Sequence, residues 1–264
     1  RIADPGMLRL IRKWLRAGIS EKGQWSRQCK GTPQGSIVSP LLANIYLHYA
    51  LDLWVHAWRK EARGDVIIVR YADDFVLGFQ YRNEAERCLE ALRKRFAAFG
   101  LEVHPEKTRL LEFGRFAETD RTQRGEGKPD TFDFLGFTHC CAKTPRGWFT
   151  VRRKTIGKKL NATLKEVKRE LRGHRHHAIA AQGAWLRKVV QGHLNYFAVP
   201  GNKRAIDAFR TEIIKAWFSS LRKRSQKARK LTWDRFTRYV KSWIPTAKVV
   251  HPYPDRRFYA MHPR

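Results

Sequence analysis

Two adjacent carboxylates, Asp73 and Asp74, interrupt the apolar segment Val66-Ile-Ile-Val-Arg-Tyr-Ala-Asp-Asp-Phe-Val-Leu-Gly-Phe79. The flanking runs read as strands, which puts the pair at a tight hairpin turn. An unpaired charge buried among such residues costs several kcal/mol, so the carboxylates belong where solvent or cations reach them. Held rigidly, they suit two-metal chemistry, in which two divalent ions clamp the attacking and leaving oxygens of an in-line phosphoryl displacement. The alternative is an exposed turn whose aspartates only satisfy backbone groups. It sits poorly with the apolar flanks, which read as central strands.

A second candidate is the loop Gly31-Thr-Pro-Gln-Gly-Ser-Ile-Val-Ser39. Gly31 and Gly35 allow close backbone approach to a ligand, and Gln34 offers both a donor and an acceptor. The helix that follows can favour a phosphate at its start. A plain connection with capping residues explains the loop equally well on its own, and the two motifs together favour function.

The charge balance names the partner class. Lys and Arg number 54 against 24 Asp and Glu, a net charge of +30 in 264 residues, which is the footprint of a polyanion binder. At 42% hydrophobic the chain folds rather than remaining disordered. No long apolar run or lipidation signal speaks for a membrane. The four cysteines, Cys29, Cys88, Cys140 and Cys141, have no zinc-finger spacing and no evident disulfide pairing. His139 beside Cys140 and Cys141 cannot close a tetrahedron, because consecutive strand residues face alternate sides. Unpaired thiols without a secretory segment point to a reducing, cytoplasmic or nucleoid-associated setting. The chain opens at Arg1 with its methionines at 7 and 261, and the numbering is expected to begin inside a larger gene product.

The positioning elements follow from periodicity. Leu8, Ile11, Trp14 and Leu15 predict an amphipathic helix from Leu8 to Ala17, stopped by Gly18. Leu41 to about Trp58 reads as one long helix with Ser39 as cap and Pro40 in its first turn. Asn83 to Phe99 is a further helix, ended by Gly100. Leu101–Phe113 and Phe132–His139 read as strands joined by a polar loop around Arg115 to Asp130, and Thr144-Pro-Arg-Gly147 as the turn of another hairpin ending near Val151. Beyond residue 150 the period changes. Four helical faces follow, through Leu164 and Leu171, Leu186 and Leu194, Phe209 and Trp217, and Phe236 and Val240. The expected architecture is α+β, with one domain over 1–150, a helical domain over 151–250 and a basic tail over 251–264.

These segments, taken in order, resemble a known family. Pro33-Gln-Gly-Ser-Ile-Val-Ser-Pro-Leu-Leu-Ala-Asn44, Tyr71-Ala-Asp-Asp74, Gly100-Leu-Glu-Val-His-Pro-Glu-Lys107 and Phe132-Asp-Phe-Leu-Gly136 look like the successive palm motifs of a reverse transcriptase. Val190-Gln-Gly-His-Leu-Asn-Tyr-Phe-Ala-Val-Pro-Gly-Asn202 resembles the thumb or maturase region of bacterial group II intron-encoded proteins. The resemblance implies a polymerase palm over 1–150 and a thumb over 151–250. It implies two Mg²⁺ ions on Asp73 and Asp74, with Asp73 bridging. Pro33, Gln34, Gly35, Asn44 and Tyr71 would line the template and incoming deoxynucleoside triphosphate. Lys107 would lie near the departing pyrophosphate, and Phe134, Leu135 and Gly136 would grip the DNA primer.

The family also uses a third carboxylate from an earlier strand, and neither Asp4 nor Asp52 is a convincing replacement. The stretch by itself is therefore expected to bind RNA but polymerise poorly or not at all. Two basic clusters carry an argument of their own. Arg152, Arg153, Lys154, Lys158 and Lys159 open the helical domain, and Arg222, Lys223, Arg224, Lys227, Arg229 and Lys230 lie between two of its helices. Too few acids balance them, which favours phosphate contact over a merely solvated face. Gly173-His-Arg-His-His177 reads as a polar turn between helices. The functional expectation is an RNA-directed DNA polymerase that copies group II intron RNA and assists its splicing. The alternative is a non-enzymatic maturase that holds structured RNA.

Overall fold

A computed structural model describes residues 3–16, 19–21, 24–26 and 38–254, and the chain divides into two units, Arg1–Leu110 and Leu111–Arg264. The fold is α+β, with antiparallel strand pairing in every described sheet.

In the first unit, α1 (Pro5–Arg16) begins three residues before the periodicity predicts. Asp4 caps it by accepting the Met7 amide at 2.6 Å, and Pro5 takes the first position, where its missing N–H is harmless. The apolar stripe of α1 stays exposed. A short hairpin follows, β1 (Ile19–Glu21) and β2 (Gln24–Ser26).

The expected single long helix is instead α2 (Ser39–Leu47), a π-helical turn (His48–Asp52) and α3 (Leu53–Glu61). Ser39 is the first helical residue rather than the cap, a position held by Val38. The π-turn spoils the helical ladder locally. Arg95 supports it by donating to the carbonyls of Tyr49 and Ala50 at 3.1 and 3.2 Å.

Strands β3 (Val66–Tyr71) and β4 (Asp74–Phe79) form a hairpin, and α4 (Arg82–Ala98) packs on it. Leu51, Val55, Leu92 and Phe96 make the core of this unit, joined by Ile68, Phe75 and Leu77 from the hairpin. Gly100, at φ +64°, ends α4 as the glycine signal predicts. Leu101–Phe113 is not a strand. Leu101 and Val103 pack half-buried against the core, and Pro105, which has no N–H to give a ladder, opens a turn instead.

The second unit begins with a short helix, α5 (Ala117–Gln123), inside the expected loop. Strands β5 (Phe132–Phe134), β6 (Phe137–Lys143) and β7 (Phe149–Thr155) then form one sheet in that order. The change of period near residue 150 marks the passage from β7 into helices α6 (Gly157–Gly173), α7 (Ile179–Phe197), α8 (Lys203–Arg222) and α9 (Trp233–Trp243), with a 3-10 turn (Lys227–Lys230) before α9. Phe209, Trp217 and Phe236 are wholly buried at their centre. Gln182, buried on α7, donates to the carbonyls of His174, Arg175 and His177 and accepts from Trp217 Nε1. The histidine-rich segment is thereby held as the turn between α6 and α7.

Candidate active site

The β3–β4 hairpin pairs Tyr71 with Asp74 across a two-residue turn, Ala72–Asp73. Ala72 has φ +54°, a left-handed conformation unusual for a residue with a side chain. Such strain persists only where the surroundings impose it. Arg70, just before the turn, supplies the constraint. Its Nη1 donates to the Ala72 carbonyl and to Asn44 Oδ1, both at 2.8 Å. Its other two nitrogens grip Asp52 bidentately, Nε to Oδ1 at 2.8 Å and Nη2 to Oδ2 at 2.7 Å. One guanidinium thus ties the turn to α2 and to the end of the π-turn.

Asp52 is consequently engaged. The Arg70 hydrogen bonds hold its carboxyl below the usual range against the opposing effect of partial burial, and His48 adds a weaker contact at 3.3 Å. It is a strut for the hairpin and is not free to act as a metal ligand. The side chains of Asp73 and Asp74, by contrast, are exposed and make no hydrogen bond or ion pair among the described residues. Their freedom beside a fully satisfied Arg70 is the principal electrostatic feature of the hairpin. Among the described residues no group of three or more His, Cys, Asp or Glu side chains comes together as a metal cage.

Asn44, half-buried, spends its carbonyl oxygen on Arg70 and keeps its amide donors for another partner. Tyr71 stands 65% exposed on the face it shares with Asp74. Lys107 lies in an exposed turn after α4 and makes no hydrogen bond or ion pair among the described residues. Pro33, Gln34 and Gly35 lie outside the described residues.

Phe134, Leu135 and Gly136 form the β5–β6 turn of the second unit. Leu135 at φ +48° and Gly136 at φ +81° give the two positive values of a type I′ turn. Helix α7 fixes it: Tyr196 donates its hydroxyl to the Leu135 carbonyl at 2.8 Å and stacks on Phe137, whose ring also meets Phe197. Asn202, also buried, bonds Thr155 through both its amide oxygen and its amide nitrogen, joining β7 to the loop after α7.

The basic residues divide by what they already hold. Arg152 and Lys154 are exposed on β7, while Arg153 is half-buried, where desolvation lowers its pKa. Lys158 and Lys159 occupy the first turn of α6, which contains no acidic residue. Cations there oppose the helix dipole by roughly 0.3–1 kcal/mol each, a cost that an anionic partner reverses. Arg222 donates to the Arg229 carbonyl and lies over Phe218, and Arg224 donates to the His176 carbonyl. Lys223, Lys227, Arg229 and Lys230 are exposed, with no side-chain partner among the described residues.

The model of the family described as reverse transcriptase (RNA-dependent DNA polymerase) matches residues 2–139. The chain belongs to the reverse transcriptase family. It is 56% identical over 55 residues to group II intron-encoded protein LtrA of Lactococcus lactis subsp. cremoris, a match covering 21% of this chain and 9% of that protein. An uncharacterized 91 kDa protein in the cob intron of Schizosaccharomyces pombe is 48% identical over 61 residues, 23% of this chain and 7% of its own. A putative COX1/OXI3 intron 1 protein of Saccharomyces cerevisiae is 25% identical across 63% of this chain and 25% of its own. The chain therefore spans a quarter or less of these relatives' length. In this member of the family, the anchoring of the turn by Arg70 and Asp52 is the feature that sequence reasoning missed. The signal was available: an arginine two positions before a polar turn, on an otherwise apolar strand, requires a buried acceptor.

Proposed function

We propose that this chain is the palm and thumb portion of a group II intron-type reverse transcriptase, an RNA-directed DNA polymerase that copies intron RNA and assists its splicing. The observation that carries the proposal is the Asp73–Asp74 turn: two exposed, unpartnered carboxylates anchored through Arg70 in a chain of net charge +30. The donor set fits Mg²⁺, which takes oxygen ligands, is bound through one or two carboxylates, and fills its remaining positions with water and substrate phosphates. Asp73 and Asp74 would hold the ions. When bound, they supply charge neutralisation at the phosphoryl oxygens.

The chain's own residues do the rest. Arg70 holds the turn still, so the carboxylates need not reorganise when the nucleotide arrives. Tyr71 and the free amide of Asn44 face template or deoxynucleoside triphosphate together with Pro33, Gln34 and Gly35. Lys107 neutralises or protonates the departing pyrophosphate. The Phe134–Gly136 turn, braced by Tyr196, grips the DNA primer. Arg152, Lys154, Lys158, Lys159 and the exposed residues of the 223–230 segment bind RNA phosphates. In this reading residues 1–150 are the palm, 151–250 the thumb and 251–264 a basic tail, acting on nucleic acid in the bacterial cytoplasm. No helix among the described residues is long and apolar enough to cross a membrane.

A second reading, a maturase that holds intron RNA without polymerising, draws support from the lysines set against the α6 dipole, since RNA holding needs no carboxylate. Primer extension separates the two. In a protein carrying this chain, Asp73→Ala with Asp74→Ala abolishes extension and leaves RNA affinity within about twofold if the first reading holds. Unchanged extension rejects it. Loss of splicing assistance alongside would make the carboxylates structural.

A further inference from the structure

The β6–β7 hairpin ends in an open cleft of about 460 Å³ that the palm motifs do not account for. Its lining includes Arg115, Glu118, Lys143, Arg146, Trp148 and Phe149. We propose that this cleft is a binding site for an unpaired RNA nucleotide, with the Trp148 indole stacking on the base and Arg115 and Arg146 holding the flanking phosphates. The inference rests on the RNA-binding part of the proposed function and adds a site to it.

Three observations carry it. First, Trp148 is 72% exposed, whereas the bundle buries Trp217 completely. A large ring left in water has most to gain from a flat partner. Second, the ring is mounted on a rigid tip. The Thr144 amide donates to the Trp148 carbonyl at 2.8 Å, and the Trp148 amide donates to Thr144 Oγ1 at 3.1 Å. The backbone entropy of presenting the indole is already spent in the fold, which favours binding. Third, the charge is selective. Glu118, the acid in the cleft, is paired with Lys143 at 2.8 Å, whereas Arg115 and Arg146 are exposed and have no partner among the described residues. An aromatic face lining one cleft with two uncompensated guanidinium groups suits a base and its neighbouring phosphates, the combination that binds single strands without sequence preference. The cleft volume falls within the roughly 300–1,000 Å³ of small-ligand sites. Inside a duplex the bases are stacked on each other and offer the indole no face, which leaves only the two terminal pairs of a blunt end.

The test compares a 12-nucleotide oligo(A) RNA with a blunt RNA duplex of equal length, both titrated against the 264-residue chain by fluorescence anisotropy. Trp148→Ala is expected to weaken oligo(A) binding by about tenfold to a hundredfold and duplex binding by less than about twofold. Trp148→Phe, which keeps a stacking face, retains oligo(A) affinity within about threefold. Arg115→Gln with Arg146→Gln lowers the salt dependence of oligo(A) binding by about 1.4 in the log–log slope, from about 0.7 per phosphate on a single strand. Thermal melting of the variants matches the wild type, because the altered side chains are exposed.

Unchanged oligo(A) affinity in Trp148→Ala, or equal losses on both RNAs, overturns the site while leaving the RNA-binding reading intact. Absence of salt-sensitive binding of either RNA by the wild-type chain removes that reading and the site with it. Loss of self-association in Trp148→Ala, with RNA affinity unaltered, assigns the indole to a second copy of the chain and likewise overturns the proposal.

Discussion

Replacing Arg70 with Met removes all four hydrogen bonds that tie the Ala72–Asp73 turn to α2 and the π-turn. The Arg70 side chain is 15% exposed and that of Asp52 28%, so the pair is neither a surface bridge worth little nor a fully buried one. Removing one partner of a buried pair costs about 3–5 kcal/mol, and a hydrogen bond to a charged group contributes about 1.5–3. Water reaching Asp52 offsets part of this, which places the loss near 2–3 kcal/mol, with relaxation of Ala72 from φ +54° adding back some of it. Hydrogen exchange followed by mass spectrometry reads the effect where it occurs. Amides of residues 66–79 are expected to exchange about 30- to 150-fold faster at 1.4 kcal/mol per decade, while those of α7 and α8 keep their protection. Arg70→Met with Asp52→Leu recovers much of the loss, because no unpaired carboxylate remains. The pH dependence has a fixed sign. Arg70 depresses the Asp52 pKa below 3.8, so the stabilisation is fully present above that value and disappears as pH falls through the lower, folded-state pKa. Unaltered exchange of the hairpin amides in Arg70→Met, or an equal rise throughout the molecule, would refute this account.

Three further outcomes follow from the second unit. His193 lies buried on the Phe209 ring, 3.7 Å between centroids, and burial pushes its pKa down to about 4. The unfolded chain therefore binds the extra proton between the ordinary value of 6.5 and about 4, so stability is lost as pH is lowered through that window, by at most about 1.4 kcal/mol per pH unit from this group. Thermal melts across that range check it, with His193→Phe flattening the dependence. A Cβ at Gly183 would come within 2.5 Å of the Trp243 ring, so Gly183→Ala is expected to cost about 1–3 kcal/mol by urea denaturation as α9 is displaced from α7. Phe209→Ala, at a fully buried position, is expected to cost about 3–5 kcal/mol in the same assay.

What the sequence disclosed follows the range of the forces involved. The β3–β4 hairpin was legible because Ile68, Phe75 and Leu77 meet the core within one local pattern broken at Asp73. The bundle was legible because Phe209, Ile213 and Trp217 repeat at helical spacing and bury on one side. Leu101 and Val103 misled for a related reason: an extended segment resting on a core shows strand alternation without any ladder. The π-turn at His48–Asp52 left no trace in periodicity, since its carbonyls are satisfied by Arg95, more than forty residues away. Asp52 looked like an ordinary helical acid until Arg70, 18 positions on, was seen to hold it. Side-chain pairing at that separation depends on the folded backbone. The α1 stripe is the opposite case, a pattern that predicted its helix correctly and left its apolar face exposed.

Iron-mediated cleavage tests the claim at the centre of this account, that the Asp73–Asp74 turn holds metal against nucleic acid. Fe²⁺ replaces Mg²⁺ in a complex of the protein with an RNA template and DNA primer, and ascorbate with peroxide generates radicals at the ion. The account predicts backbone scission concentrated around residues 71–75, suppressed by excess Mg²⁺ and lost in Asp73→Ala with Asp74→Ala while the nucleic acid stays bound. Scission elsewhere, or a pattern at the turn that survives removal of both carboxylates, would contradict it.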